Sequence, residues 1–243
     1  MAKQAPYDHA FYDIADEAEY SARRITGLIV DLVRPASVLD LGCGTGVWLK
    51  AFHDSWGLAD LTGVDGEWVG TTLTASPTSR FVPHDLNQPI DFDRQFDLVV
   101  SVEVAEHLRP ESADVLVDSI VRHGRAVVFS AAIPYQGGQN HFNEQWPGYW
   151  VERFRQRRFT PVDCFRRIIW DDDRMLWWYA QNLLLFVHEE TAYAYRDMPG
   201  FNEAPSLIHP KLYAYNSTRA DLRNRSARAL AGALARRVLS RLT

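Results

Sequence analysis

Short apolar runs alternating with amphipathic segments restrict the folds open to this chain more than any other feature. "SVLDLGCGTG" (37–46), broken by three glycines, and "DLTGVDG" (60–66), "RFVPHDL" (80–86), "FDLVVSV" (96–102) and "RAVVFSAA" (125–132) have the aliphatic, β-branched character of strands. "VWLKAFHDSW" (47–56) and "ESADVLVDSIVRH" (111–123) lie between them and space their apolar residues at helical intervals. A helix is also expected over 11–34, with Ile14, Ala18, Ala22, Ile25, Leu28, Ile29, Leu32 and Val33 on one side and Arg34-Pro35 as its stop. Strands that are apolar on both faces and alternate with helices build a parallel sheet covered on both sides, an α/β fold. Further on, a helix is predicted for "GYWVERFRQRRF" (148–159) and strands for "VDCFRRIIW" (162–170) and "QNLLLFVH" (181–188).

These elements divide the chain into an N-terminal helical lid or cap (1–35), a core (36–190) with a substrate loop over 131–150, and a C-terminal extension (191–243). The loop is rich in Gly, Asn, Gln and aromatics, the composition of a functional connection rather than of core. At 47 % hydrophobic and 23 % charged residues, the chain has an ordinary globular balance, and its net charge of −5 supplies no general attraction to nucleic acid. No apolar run approaches the ~20 residues of a membrane span. The N-terminus lacks a secretory pattern, and two cysteines, Cys43 and Cys164, make neither a disulfide framework nor a zinc cluster. A cytoplasmic setting is expected.

The first strand ends in "LDLGCGTG", with Gly42, Gly44 and Gly46 placed before a helix. Glycines there let the backbone turn tightly and approach a ligand closely. A dinucleotide fingerprint needs its third glycine at 47, which is Val, so a nicotinamide or flavin reading weakens. Asp65 ends the next strand, where a carboxylate can accept ribose hydroxyls, and Asp85 follows the third. Each has a plain alternative: a tight connection, a cap or a turn residue.

"VLDLGCGTG", "GVDG", "HDL" and "FDLVVSVEVAEHL", in this order, resemble class I S-adenosylmethionine-dependent methyltransferases over roughly residues 15–190. The resemblance implies a Rossmann-like sheet of seven strands, mostly parallel with the last antiparallel, with helices on both faces. It implies that Asp40, Gly42, Gly44 and Gly46 hold the methionine end of the cofactor, Asp65 with Gly66 the ribose, and Asp85 with Leu86 the adenine edge. Ser101 would complete the cofactor set.

After the fourth strand comes "EVAEHL". In a helical turn, Glu103, Glu106 and His107 share one face, and two adjacent carboxylates in a cleft raise each other's pKa unless a cation intervenes. Carboxylates with imidazole suit a divalent metal of the Mg, Mn, Fe or Zn kind, and His141 in the substrate loop is the candidate fourth ligand. Glu-x-x-Glu-His with a later His also resembles the metal site of small-RNA 2′-O-methyltransferases, and the turn alone resembles ubiquinone-pathway O-methyltransferases. The implied metal ligands are Glu103, Glu106, His107 and His141. Other methyltransferases of this fold carry an Glu-His pair there without metal, and in that case His107 is the general base. With a metal, His141, Glu144 or a bound water is left to take the proton.

These readings converge on an O-methyltransferase, metal-assisted, for a small polyhydroxylated acceptor such as a sugar, glycoconjugate or natural product. "NEQWPGYW" (143–150) resembles bacterial methyltransferases of glycan and natural-product pathways. Trp146, Tyr149, Trp150, Trp170, Trp177, Trp178 and Tyr179 are candidate flat walls for the acceptor or ordinary packing residues. The competing readings are a metal-free O- or N-methyltransferase and a non-catalytic scaffold of the same fold. Finally, residues 219–243 predict an amphipathic helix with Leu230, Leu234, Val238 and Leu242 on one stripe among seven arginines. Such a helix packs on protein, on another subunit or on an anionic membrane surface.

Overall fold

The computed structural model describes residues 15–71 and 79–220. Its strands are β1 (Ser37–Leu41), β2 (Asp60–Asp65), β3 (Arg80–Pro83), β4 (Leu98–Val102), β5 (Ala126–Ser130), β6 (Phe159–Val162) and β7 (Leu184–His188). They form one sheet in the order β3-β2-β1-β4-β5-β7-β6. Strands β1 to β5 pair in parallel, whereas β7 is antiparallel to both β5 and β6. The helices are α1 (Ala15–Val33), α2 (Val47–Trp56), α3 (Ala113–His123), α4 (Pro147–Gln156), α5 (Arg166–Ile169), α6 (Trp177–Asn182) and α7 (Pro210–Ala220).

The apolar runs are continuous because both faces of the sheet are covered. Along β1, Val38 packs with Ile25 and Ile29 of α1 and Leu49 and Phe52 of α2. Leu39 and Leu41 face the other way, onto Leu116, Val117 and Ile120 of α3 and Phe154 of α4. The same alternation divides Leu98 and Val100 from Val99 in β4, as a period of two requires. Each such fully buried side chain contributes about 1.5–3 kcal/mol of transfer free energy.

One expected strand is corrected. Residues 162–170 are not a strand; β6 ends at Val162, and α5 follows. Asp163 and Arg166, three apart and therefore on one face of a turn, form a bidentate pair at 2.8 and 2.7 Å. Arg166 is 0 % exposed and also donates to the carbonyls of Gln181 (2.9 Å) and Pro205 (3.1 Å). Extended backbone would point these two side chains to opposite faces and break the pair.

Two compact units are present, Met1–Leu207 and Ile208–Thr243. The division falls at 207/208 instead of 190/191 because the stretch after β7 is stitched to β6. Asn202 N donates to Pro161 O (2.8 Å), Asp163 N donates to Gly200 O (3.0 Å), and Phe201 bridges Val162. The second unit is described through α7. The arginine-rich stripe from Leu230 to Leu242 and the first part of the expected N-terminal cap lie outside the described residues. Among the described residues, no helix is long and apolar enough to cross a membrane.

Candidate active site

Strand order reverses at β1 and β4, and in open α/β sheets ligands bind in the crevice beyond the carboxyl ends at such a point. The glycine loop leaves β1 there, Asp65 ends β2, the acidic turn leaves β4 and the substrate loop leaves β5.

In the glycine loop, the amides of Gly42 and Cys43 both donate to Val64 O, at 2.8 and 3.1 Å. Gly44 N donates to Asp65 Oδ2 (2.8 Å) and Gly66 N to Oδ1 (2.7 Å), so two amides fix the Asp65 carboxylate at the tip of β2. Burial nevertheless raises its pKa. Asp40 is 3 % exposed, and its Oδ2 has no hydrogen-bond partner among the described residues. Burial, then the Asp65 charge, push its pKa up to about 8. Such a group is completed by a cation.

Not all predicted cofactor residues join this cluster. Ser101 is fully buried and lies on the opposite face of the sheet from Asp40, as its register in β4 dictates. The Asp85 carboxylate accepts from Asn87 N (3.0 Å) and Nδ2 (2.8 Å), a local turn that lowers its pKa, and Leu86 is buried in the core on the α3 face. Sequence reasoning missed Trp68, whose ring lies across Gly66 so closely that a Cβ there would sit 2.1 Å from it.

The acidic turn departs from the expected helical face. Glu103 has φ 55°, a left-handed conformation, and the 3₁₀ turn begins only at Ala105. Ligand atoms of Glu106, His107 and His141 lie within 4.8 Å of one another, and Glu103 is outside that group. The Glu103 carboxylate accepts instead from Ser130 Oγ (2.7 Å), Asn182 Nδ2 (3.0 Å) and Gln136 Nε2 (2.8 Å). A hydroxyl and two amides in this arrangement were invisible in sequence, although the polar pair Gln181-Asn182 just before an apolar strand was a signal.

Glu106 is 0 % exposed, and neither carboxylate oxygen has a hydrogen-bond partner among the described residues. Burial, then the Glu103 charge, push its pKa well up, while the nearby Glu106 and Ala132 backbone amides offset part of the shift. His107 is held neutral: burial and then His141 push its pKa down to about 4. The two imidazoles meet edge to face with centroids 4.8 Å apart. Phe142 N and Asn143 N both donate to Glu106 O, at 2.7 and 3.0 Å, and so pin the substrate loop over the turn.

His141 Nδ1 contacts Glu144 Oε1 at 2.9 Å. Glu144 also accepts from Gly137 N (2.7 Å) and Tyr135 N (2.8 Å), so its carboxylate is held in place against the imidazole. Gly138 allows the approach: a Cβ there would lie 2.2 Å from His141 Nε2. One buried carboxylate with no formed hydrogen bond among the described residues, two imidazoles and an outer carboxylate on one of them fit a divalent cation.

The cofactor loop and the acidic turn touch. Gly42, at φ 88°, takes Val104 against its Cα; a Cβ would sit 2.3 Å from Val104 Cγ2. Tyr179 spans the same region, its pKa pushed up to about 12 by burial and then by Glu103 and, to a lesser degree, Asp40. Of the aromatics, Trp150 is core, whereas Tyr135, Phe142 and Trp146 of the substrate loop are exposed.

A family model described as a methyltransferase domain matches residues 11–172. No curated protein matches the chain. Among solved structures, the chain is similar to DesVI of Streptomyces venezuelae, with 16 % identity and a TM-score of 0.56 over 75 % of this chain and 99 % of that one. It is similar to the methyltransferase domain of a bacterial Hen1, CtHen1, with 15 % identity and a TM-score of 0.52 over 70 % and 98 %. A third is magnesium protoporphyrin IX methyltransferase from Synechocystis PCC 6803 with bound S-adenosylhomocysteine, at 14 % identity and a TM-score of 0.55 over 76 % and 90 %. At these identities the likeness is one of fold.

Proposed function

The chain belongs to the methyltransferase-domain family of class I S-adenosylmethionine-dependent enzymes, and from that premise we propose that it methylates a hydroxyl of a small polyhydroxylated acceptor with the help of a divalent metal. One observation carries the metal: the buried Glu106 carboxylate, with no formed hydrogen bond among the described residues, converges with His107 and His141 beside the glycine loop. Glu106, His107 and His141 would hold the ion. When bound, it supplies Lewis acidity that lowers the pKa of a coordinated alcohol by several units.

The chain's own groups do the rest. Asp40 offers its Oδ2, without a hydrogen bond among the described residues, to the cationic amino-acid end of the cofactor, and Asp65, oriented by the Gly44 and Gly66 amides, offers its carboxylate to the ribose. Val104, wedged on Gly42, fixes the distance between the two halves, and this proximity supplies much of the acceleration of an in-line methyl transfer. The methyl carbon leaves sulfur for the acceptor oxygen, and the hydroxyl proton passes to solvent. His107, neutral at neutral pH with a pKa near about 4, is suited to ligation and is a weak base. Exposed Tyr135 and Phe142 flank His141 in the loop and offer flat surfaces to a sugar or ring.

The test is transfer of labelled methyl from S-adenosylmethionine to a panel of sugars, glycoconjugates and catechols, before and after dialysis against a chelator. Turnover lost on chelation and restored by Mn²⁺ or Co²⁺ supports the reading. Turnover that survives complete metal removal replaces it with metal-free transfer.

A further inference from the structure

We propose that Glu103, the first acid of the Glu-x-x-Glu-His turn, is not a ligand but a hydrogen-bonded anchor outside the ligand set, so that Glu106, His107 and His141 hold the metal. This refines the metal reading above and rests on it.

Two carboxylates of one motif have opposite environments. Glu103 accepts from three neutral donors on three elements: Ser130 at the end of β5, Asn182 at the end of α6 and Gln136 in the substrate loop. Those donors are themselves locked. Gln136 Oε1 accepts from Ile133 N (3.3 Å), Gln181 Nε2 (3.0 Å) and Asn182 Nδ2 (2.9 Å), and Gln181 Nε2 also reaches Asn182 Oδ1 (3.1 Å). Gln136, Gln181 and Asn182 are all buried. Turning Glu103 onto a metal would strand a hydroxyl and two amides away from water, a penalty that no rearrangement of this network offsets.

The backbone holds the same arrangement. Glu103 N–H is shared between Ser130 O (3.1 Å) and Ser130 Oγ (3.0 Å), with φ in the left-handed region. That conformation takes residue 103 off the 3₁₀ turn that carries Glu106 and His107. Glu106 is the converse case, fully buried, with neither oxygen in a formed hydrogen bond among the described residues and within reach of both imidazoles.

Glu103 therefore acts as a positioning residue. It ties β5, α6 and the substrate loop to the root of the turn without occupying a coordination position. More of the ion's face is left to acceptor and water.

The experiment is titration of Co²⁺ into the full-length protein, read by calorimetry and by the visible d–d bands, with circular dichroism confirming each fold. The wild type binds one ion, and Glu106→Gln loses that binding. Glu103→Asp keeps the carboxylate but is too short to ligate from this backbone; it keeps the bands and an affinity within about threefold of the wild type. Glu103→Gln also keeps the bands. Shifted bands in Glu103→Asp, or binding abolished as in Glu106→Gln, overturn the proposal, and the aspartate variant decides if the glutamine variant does not fold. A wild type that binds no Co²⁺ overturns the metal reading itself, a result distinct from bands that shift with residue 103.

Discussion

Replacing Asp40 by asparagine is expected to flatten the pH dependence of stability of the cofactor-free protein. Asp40 has a folded pKa of about 8 against an ordinary value of 3.8, because its carboxylate is buried and then because Asp65 lies beside it. An acid whose folded pKa is raised contributes its stability below the unfolded pKa and loses it as pH rises through the folded value. Between those limits the folded state binds one proton more than the unfolded state, and each pH unit costs about 1.4 kcal/mol. From about pH 5 to about pH 7 the wild type should therefore lose about 2–3 kcal/mol relative to Asp40→Asn. Glu106 and His107 titrate in both proteins and cancel in the difference. Urea denaturation of both proteins across this range, without cofactor, measures it. A difference that is constant with pH would refute the burial argument, whatever the absolute stability of the variant.

Two further outcomes are expected. Gly138→Ala would place a methyl 2.2 Å from His141 Nε2, and displacement of the imidazole should weaken Mn²⁺ binding about 10–100-fold with little change in melting temperature; unchanged binding by calorimetry would remove His141 from the ligand set. Arg166→Met leaves the Asp163 carboxylate, 1 % exposed, without its partner and should cost about 3–5 kcal/mol in urea denaturation, with part recovered when Asp163 is also made Leu. A loss below about 1 kcal/mol would show that the pair contributes nothing.

The parts of the chain whose form depends on neighbours in sequence were legible. β1, β4 and β5 read directly as apolar runs, and α2 matches its helical stretch residue for residue, because period and breaker residues are local signals. The same kind of reading failed at 162–170, where an aromatic and aliphatic run looked like a strand while Asp163 and Arg166 encoded a turn. It also failed at Glu103, where helical spacing predicted a turn that starts at residue 103, whereas a left-handed residue delays it to Ala105 and Glu103 is not among the clustered ligand atoms.

By itself the amino-acid order determined the alternating fold, the glycine loop with its acidic partner and the residue types able to hold a cation. Only the tertiary structure decided which of them meet. Asn182 reaches Glu103 from 79 residues away, and Phe142 and Asn143 carry His141 onto the turn through the carbonyl of Glu106. The reason is physical. A strand or helix is selected by contacts within a few residues, whereas the environment of a buried carboxylate is set by whatever the topology brings to the same crevice.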